Sequence, residues 1–108
     1  MCGKKGEIVK MKKEGKKIYI AGRISNYKGF REHFKREEKR LKEQGYIVLN
    51  PAVLPPGLTQ EEYMRICIPM LNICEAIYML EGWETSVGAN IEYQLAKQAN
   101  KEILFEVG

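Results

Sequence analysis

Four short apolar runs, separated by stretches of helical spacing, constrain this chain more than any other feature. The runs are KKIYIAG (16–22), YIVLNPA (46–52), AIYML (76–80) and EILFEV (102–107). Brief apolar runs bounded by turn residues read as buried strands. The stretch 27–45 sets Phe30, Phe34 and Leu41 on one face of a helix, its charge run forming the wet face, and Gly45 stops it. In the second stretch TQEE gives Thr59 and Glu62 as a capping box. Tyr63, Ile66, Cys67, Met70, Leu71 and Cys74 follow as an apolar stripe, and Pro69 predicts a kink or an early end. The third, TSVGANIEYQLAKQ (85–98), opens at about Ser86. Strands alternating with helices imply a parallel sheet with right-handed crossovers, in two or three layers. Tyr19, Tyr46 and Tyr78 lie in strands and are expected in the core.

The 108 residues fit one domain, and 44% apolar content supports one core but not two. A deep site in so short a chain is expected to draw on a second subunit. The net charge of +4 is concentrated in the first 17 residues, with seven lysines and two glutamates; the body is near neutral. Residues 1–15 read as a solvated basic arm, with a short strand at 7–11, and residues 16–108 as the α/β domain. The pattern offers neither a basic stripe on a folded element nor a stacking platform, which argues against nucleic acid as a partner.

Cys67 and Cys74 are seven apart on a helix, about 10 Å along its axis, too far for a disulfide. With one histidine in the chain no zinc set can be written. No metal and no cofactor are expected. Free thiols point to a reducing cytoplasm. Neither a signal peptide nor a bilayer-spanning run is read, so no membrane association is expected.

In open parallel sheets ligands bind beyond the carboxyl ends of the strands, at a switch in strand order. Three segments fall at that edge: AGRISNY, NPAVLPPGLT and EGWETSVG. Gly22 ends the first strand and suits either a plain turn or a close approach to a ligand; Arg23, Ser25, Asn26 and Tyr27 follow at once. Asn50 opens the second segment. Trp83, in the third, suits stacking on a base, covering a pocket or packing a subunit interface. Ser86 is a good N-cap. With Gly88 and Ala89 it also opens a helix whose free N–H groups suit an anion. Glu92 is the sharpest signal, because its helical neighbours are Gly88, Ala89, Leu95, Ala96 and Ala99. Either it is a buried carboxylate, which must be paired, hydrogen-bonded or protonated, or the helix is rotated and it is a surface acid.

The segments KIYIAGRIS, GYIVLNPAVLPPGLTQEEYM, CEAIYMLEGWETSVGANIEYQLA and EILFE resemble the DUF4406 family. That family is grouped with nucleoside 2-deoxyribosyltransferase-like proteins, which include 2-deoxynucleoside 5-monophosphate N-glycosidases. The resemblance covers about residues 16 to 106. It implies a Rossmann-like (flavodoxin-like) three-layer sandwich with a small, mainly parallel sheet of four to five strands. It further implies a nucleoside or nucleotide ligand, cleavage or transfer at its N-glycosidic bond, and a homodimer or larger assembly. The superfamily's glutamate nucleophile, four residues after a helix-opening glycine and four before a small residue, matches Gly88, Glu92 and Ala96. Ser86 matches a serine that holds the 5-phosphate, and Tyr19 to Ser25 match the loop around sugar and base. Two family aspartates, however, correspond here to Cys67 and Glu75. Glu75 keeps a carboxylate and is expected to orient sugar or nucleophile; Cys67 keeps no comparable acid. The alternative implied is a catalytically impaired binder that sequesters or senses a nucleotide or an ADP-ribose-derived signal.

Overall fold

The computed structural model describes residues 15–107. The expected basic arm, apart from Gly15, and its strand at 7–11 lie outside the described residues. The elements are β1 (Lys17–Ala21), α1 (Phe30–Glu43), β2 (Ile47–Leu49), α2 (Gln60–Asn72), β3 (Ala76–Met79), α3 (Val87–Gln98) and β4 (Glu102–Phe105). Short 3-10 turns lie at Pro51–Val53 and Trp83–Thr85. The four strands pair in the order β2-β1-β3-β4, all parallel. The chain therefore has the α/β, flavodoxin-like order expected, with the switch point between β1 and β3.

Side chains alternate across each strand, and β1 separates two cores. Ile18 and Ile20 face α1 and pack with Phe34, Leu41 and Leu80. Tyr19 and Ala21 face the other way, against Cys67 and Leu71 of α2 and Ala89 and Ala96 of α3. The result is three layers, with α1 on one face of the sheet and α2 and α3 on the other. Each fully buried Ile, Leu or Phe contributes about 1.5–3 kcal/mol. Cys67 and Cys74 are both free and buried, although Cys74 lies past the end of α2 rather than on the helix as expected.

The boundaries differ from the sequence reading where side chains compete for the backbone. Gly29 takes φ +95° at the N-cap of α1, so the helix opens at Phe30 rather than earlier. The second strand ends at Leu49 because the Asn50 carboxamide oxygen accepts from Ala52 N–H at 2.8 Å and turns the chain. Pro51 has no N–H to continue a ladder. The expected early end at Pro69 does not occur, and α2 runs on to Asn72. The bond Pro69 cannot make would go to the Arg65 carbonyl; both residues are exposed, so water can serve that oxygen. The capping box at Thr59 and Glu62 forms as read, with both reciprocal bonds present.

The charge run of α1 is not wholly a wet face. Glu37 is 0% exposed. It accepts from the Tyr78 hydroxyl at 2.8 Å, from Arg36 Nε at 3.2 Å and from Arg40 Nη1 at 3.2 Å. Burial alone pushes this carboxyl up, but the hydrogen bonds from Tyr78 and Arg36 and the charge of Arg40 outweigh it and hold it below the usual range. A carboxylate lowered on folding adds stability above its unfolded value of about 4.3 and loses it as pH falls through the folded value. Glu37→Gln is therefore expected to lower the urea midpoint at pH 7, and the deficit should shrink toward pH 3. A deficit equal at both pH values would show that the charge of Glu37 contributes nothing.

Candidate functional site

Helix α3 presents Ala89, Glu92 and Ala96 to the interior, at i, i+3 and i+7. The two alanines are small enough to bring the helix close against the sheet, and Glu92 is carried in between them, 5% exposed. This decides between the two sequence readings: the helix is not rotated. The Tyr19 hydroxyl, reaching from the middle of β1, donates to Glu92 Oε2 at 2.6 Å. No other hydrogen bond to the Glu92 carboxyl exists among the described residues, and no fully buried side-chain oxygen there lacks a partner. Oε1 is therefore the oxygen left open to the adjoining space. Burial lifts the Glu92 carboxyl to about 7, with the Tyr19 hydrogen bond pulling the other way. Tyr19 is itself raised well above the ordinary phenol value, first by burial and then by the charge of Glu92.

That space is a cavity of about 400 Å³ at the carboxyl edge of the sheet, large enough for a nucleoside-sized ligand. Tyr19 and Glu92 lie on its wall together with Ser86, Gly88 and Ala89 of the α3 mouth. Ser86 caps α3 by accepting from Ala89 N–H at 3.1 Å. Asn90 fixes the turn before it by donating to the carbonyls of Glu84 and Ser86 at 3.0 and 2.8 Å. The proline-rich segment from Leu54 to Gln60 also lines it, together with Ile24 and Phe30. Arg31 clamps that segment from the first turn of α1, donating to the carbonyls of Ala52 and Leu54 at 3.1 and 2.8 Å. Its guanidinium lies 4.8 Å from the centre of the Phe30 ring.

Cys67 sits behind Tyr19, its thiol pushed up to about 11 by burial and the charge of Glu92, with the neighbouring Tyr19 hydroxyl opposing. Tyr63, on the cavity wall, donates to the Pro51 carbonyl at 2.8 Å. Its phenol is raised first by burial.

Of the residues singled out in sequence, Tyr19, Gly22, Ser25, Ser86, Gly88, Ala89 and Glu92 meet at this cavity. The others do not line it. Arg23 braces the β1–α1 loop through the carbonyls of Ser25 and Asn26, and Asn26 takes φ +56° within that loop. Asn50 is occupied by Ala52 N–H and by Glu38, to which its amide donates at 2.9 Å. Trp83 packs against Tyr93, with ring centres 4.8 Å apart, and against Phe105 at 6.3 Å. Glu75 stands at the amino end of β3, exposed, accepting from Lys17 N–H at 2.7 Å. Within one chain it is a full strand length from the cavity edge.

The two glycines answer to packing as well as to ligand access. A Cβ at Gly22 would stand 3.0 Å from the Leu80 side chain, and one at Gly88 would meet Gln60 Nε2 at 3.1 Å. Sequence reasoning missed Phe30, Arg31, Tyr63 and Met64 as cavity residues. Phe30 and Tyr63 read as ordinary core positions, and Arg31 as part of a wet helix face. The segment NPAVLPPGLT did carry a signal, its place after β2.

The chain matches the family described as "Domain of unknown function (DUF4406)" over residues 16–105, and it belongs to that family. No curated protein matches it. Among the described residues no helix is long and apolar enough to cross a membrane.

A carboxyl raised on folding binds protons that the unfolded chain has already released, so it costs stability as pH climbs from about 4.3 to about 7. Glu92→Gln keeps an acceptor for Tyr19 and cannot ionise. It is expected to be more stable than the unaltered chain at pH 8, by at most about 3–4 kcal/mol. The advantage should fade near pH 4. Urea midpoints at the two pH values measure it; a variant that is less stable at pH 8 would mean that Glu92 is not buried as an unpaired charge.

Proposed function

We propose that the cavity holds a nucleoside or nucleotide and that Glu92 cleaves or transfers at its N-glycosidic bond. The observation that carries this reading is the placement of Glu92. It is a buried carboxyl with one oxygen fixed by Tyr19 and the other open to the cavity beside a helix mouth. Such a carboxylate is poised to attack an electrophilic carbon while the phenol holds its orientation. The likeness of Ser86, Gly88, Glu92 and Ala96 to the nucleoside 2-deoxyribosyltransferase-like pattern supports the same assignment. The α3 mouth supplies free N–H groups for a ligand phosphate, and the apolar wall of Leu54, Phe30 and Ile24 suits the faces of a base. The glycosyl ester on Glu92 is then released to water or to a second base, as in retaining glycosidases. No cofactor is needed for this chemistry. Exposed Ile66 on α2, Ile73 just after it, and Val87 and Ile91 on α3 support a homo-oligomer. The buried free thiols suit a reducing cytoplasm.

A second reading is a binder that does not turn over, favoured by one observation. Cys67 stands where the superfamily pattern has an acid, and its thiol is pushed up to about 11. Separation of bases from intact ligands after incubation with nucleosides and nucleoside monophosphates distinguishes the two. Turnover is expected to rise with pH through about 7 as Glu92 ionises, and Glu92→Gln should lower it roughly 1,000-fold or more. Tyr19→Phe removes the bond that favours the carboxylate and should move the rising limb to higher pH. Stoichiometric intact ligand on both the unaltered chain and Glu92→Gln, with no free base, would replace the enzyme by the binder.

A further inference from the structure

Among the described residues of one chain, the cavity holds a nucleophile without a partner acid. Among the described residues Glu92 is its sole carboxyl. The phenol protons on its wall are committed: Tyr19 donates to Glu92 and Tyr63 to the Pro51 carbonyl. Both phenols are raised by burial, which makes them weaker acids still. The hydroxyls of Ser25, Thr59 and Ser86 are alcohols, far too weakly acidic to protonate a departing base. The Cys67 thiol lies behind Tyr19, fully buried and absent from the wall. Glu75 is at the opposite edge of the sheet. Arg31 carries protons that it does not give up.

A neutral purine or pyrimidine leaves a sugar as an anion unless it is protonated during departure. A base that already carries a positive charge leaves as a neutral molecule and needs no acid. We propose, building on the N-glycosidic reading of this cavity, that its substrates are nucleosides or nucleotides with a cationic base, such as N-ribosylpyridiniums or N7-alkylpurine nucleosides. In the first step a bond forms between Glu92 Oε1 and C1′ while the C1′–N bond breaks. Its electron pair returns to the ring nitrogen and cancels the positive charge. In the second step water attacks C1′, the ester bond breaks back to the Glu92 carboxylate, and the surplus proton passes to solvent. The buried carboxylate also attracts a cationic ring in the ground state. An opposite charge at that distance favours its ionised form, so cation binding and activation of the nucleophile reinforce each other.

The test uses the full chain and two matched pairs of probes. One pair is guanosine and 7-methylguanosine 5′-monophosphates; the other is nicotinamide mononucleotide and its reduced, uncharged form. Free base is separated and quantified over time between pH 5 and 9, with Glu92→Gln beside the unaltered protein. The cationic member of each pair is expected to give a kcat/KM at least about 100-fold above its neutral partner. For nicotinamide mononucleotide, whose ring charge does not titrate, the rate should rise through about pH 7 and stay level to pH 9, because no acid has to remain protonated. Equal or faster cleavage of the neutral members, lost in Glu92→Gln, would overturn the cationic-base proposal and leave the N-glycosidic reading standing. A bell-shaped profile on nicotinamide mononucleotide would overturn the acid-free step. Release of base from neither member of either pair would overturn both the proposal and the reading it rests on.

Discussion

The hydrogen bond from Tyr19 to Glu92 is the interaction on which the arrangement turns. A carboxyl with 5% of its surface exposed cannot remain in the interior without a donor, and Tyr19 is the donor it has. That bond crosses from the middle strand of the sheet to the helix packed on it, between residues 73 positions apart. It fixes the depth and rotation of α3, and with them the position of the helix mouth. Burial, opposed by that bond, leaves the carboxyl near neutrality, at about 7. Ala89 and Ala96 make this possible, since larger residues at either position would hold the helix off the sheet.

The parallel sheet supplies the rest. Because β1 has β2 on one side and β3 on the other, the chain leaves β1 and β3 toward opposite faces of the sheet. The gap between those exits becomes the cavity. Arg31 then ties the long segment after β2 across that gap through two backbone carbonyls. Without such a clamp, a loop rich in proline and glycine has few backbone bonds to hold it in one conformation.

A second, partly buried network steadies the same edge. His33 bridges the Tyr27 hydroxyl and Glu106 Oε1, each at 2.8 Å. Glu106 also accepts from Glu81 N–H at 2.9 Å. These bonds connect the loop after β1, the start of α1, the loop after β3 and the residue that follows β4. Ile24 and Ser25, on the cavity wall, belong to a loop held from behind. The side chains divide accordingly: apolar and backbone contacts shape the cavity, and one carboxyl hydrogen-bonded to one phenol lies on its wall.

The order of strands and helices, the capping box and the residues that meet at the α3 mouth were legible in the sequence. They depend on local spacing and on a topological rule that follows from it. Glu92 stood out because one acid interrupted a stripe of small residues. Sequence spacing alone left open whether it was buried, because a helix can rotate about its axis without changing its pattern. Only the tertiary structure decided that, by seating two alanines on the sheet and bringing Tyr19 to the carboxyl. It likewise turned Glu37 inward from a run of charges, moved Trp83 into an aromatic cluster, and placed Arg31 and Tyr63 on the cavity wall. It left Glu75 at the far edge, because a residue at the start of a parallel strand lies a strand length from the site at its end. Local pattern determined which elements form and in what order. Contacts between residues distant in sequence decided which side chains share a space, because those contacts exist only once the layers have packed.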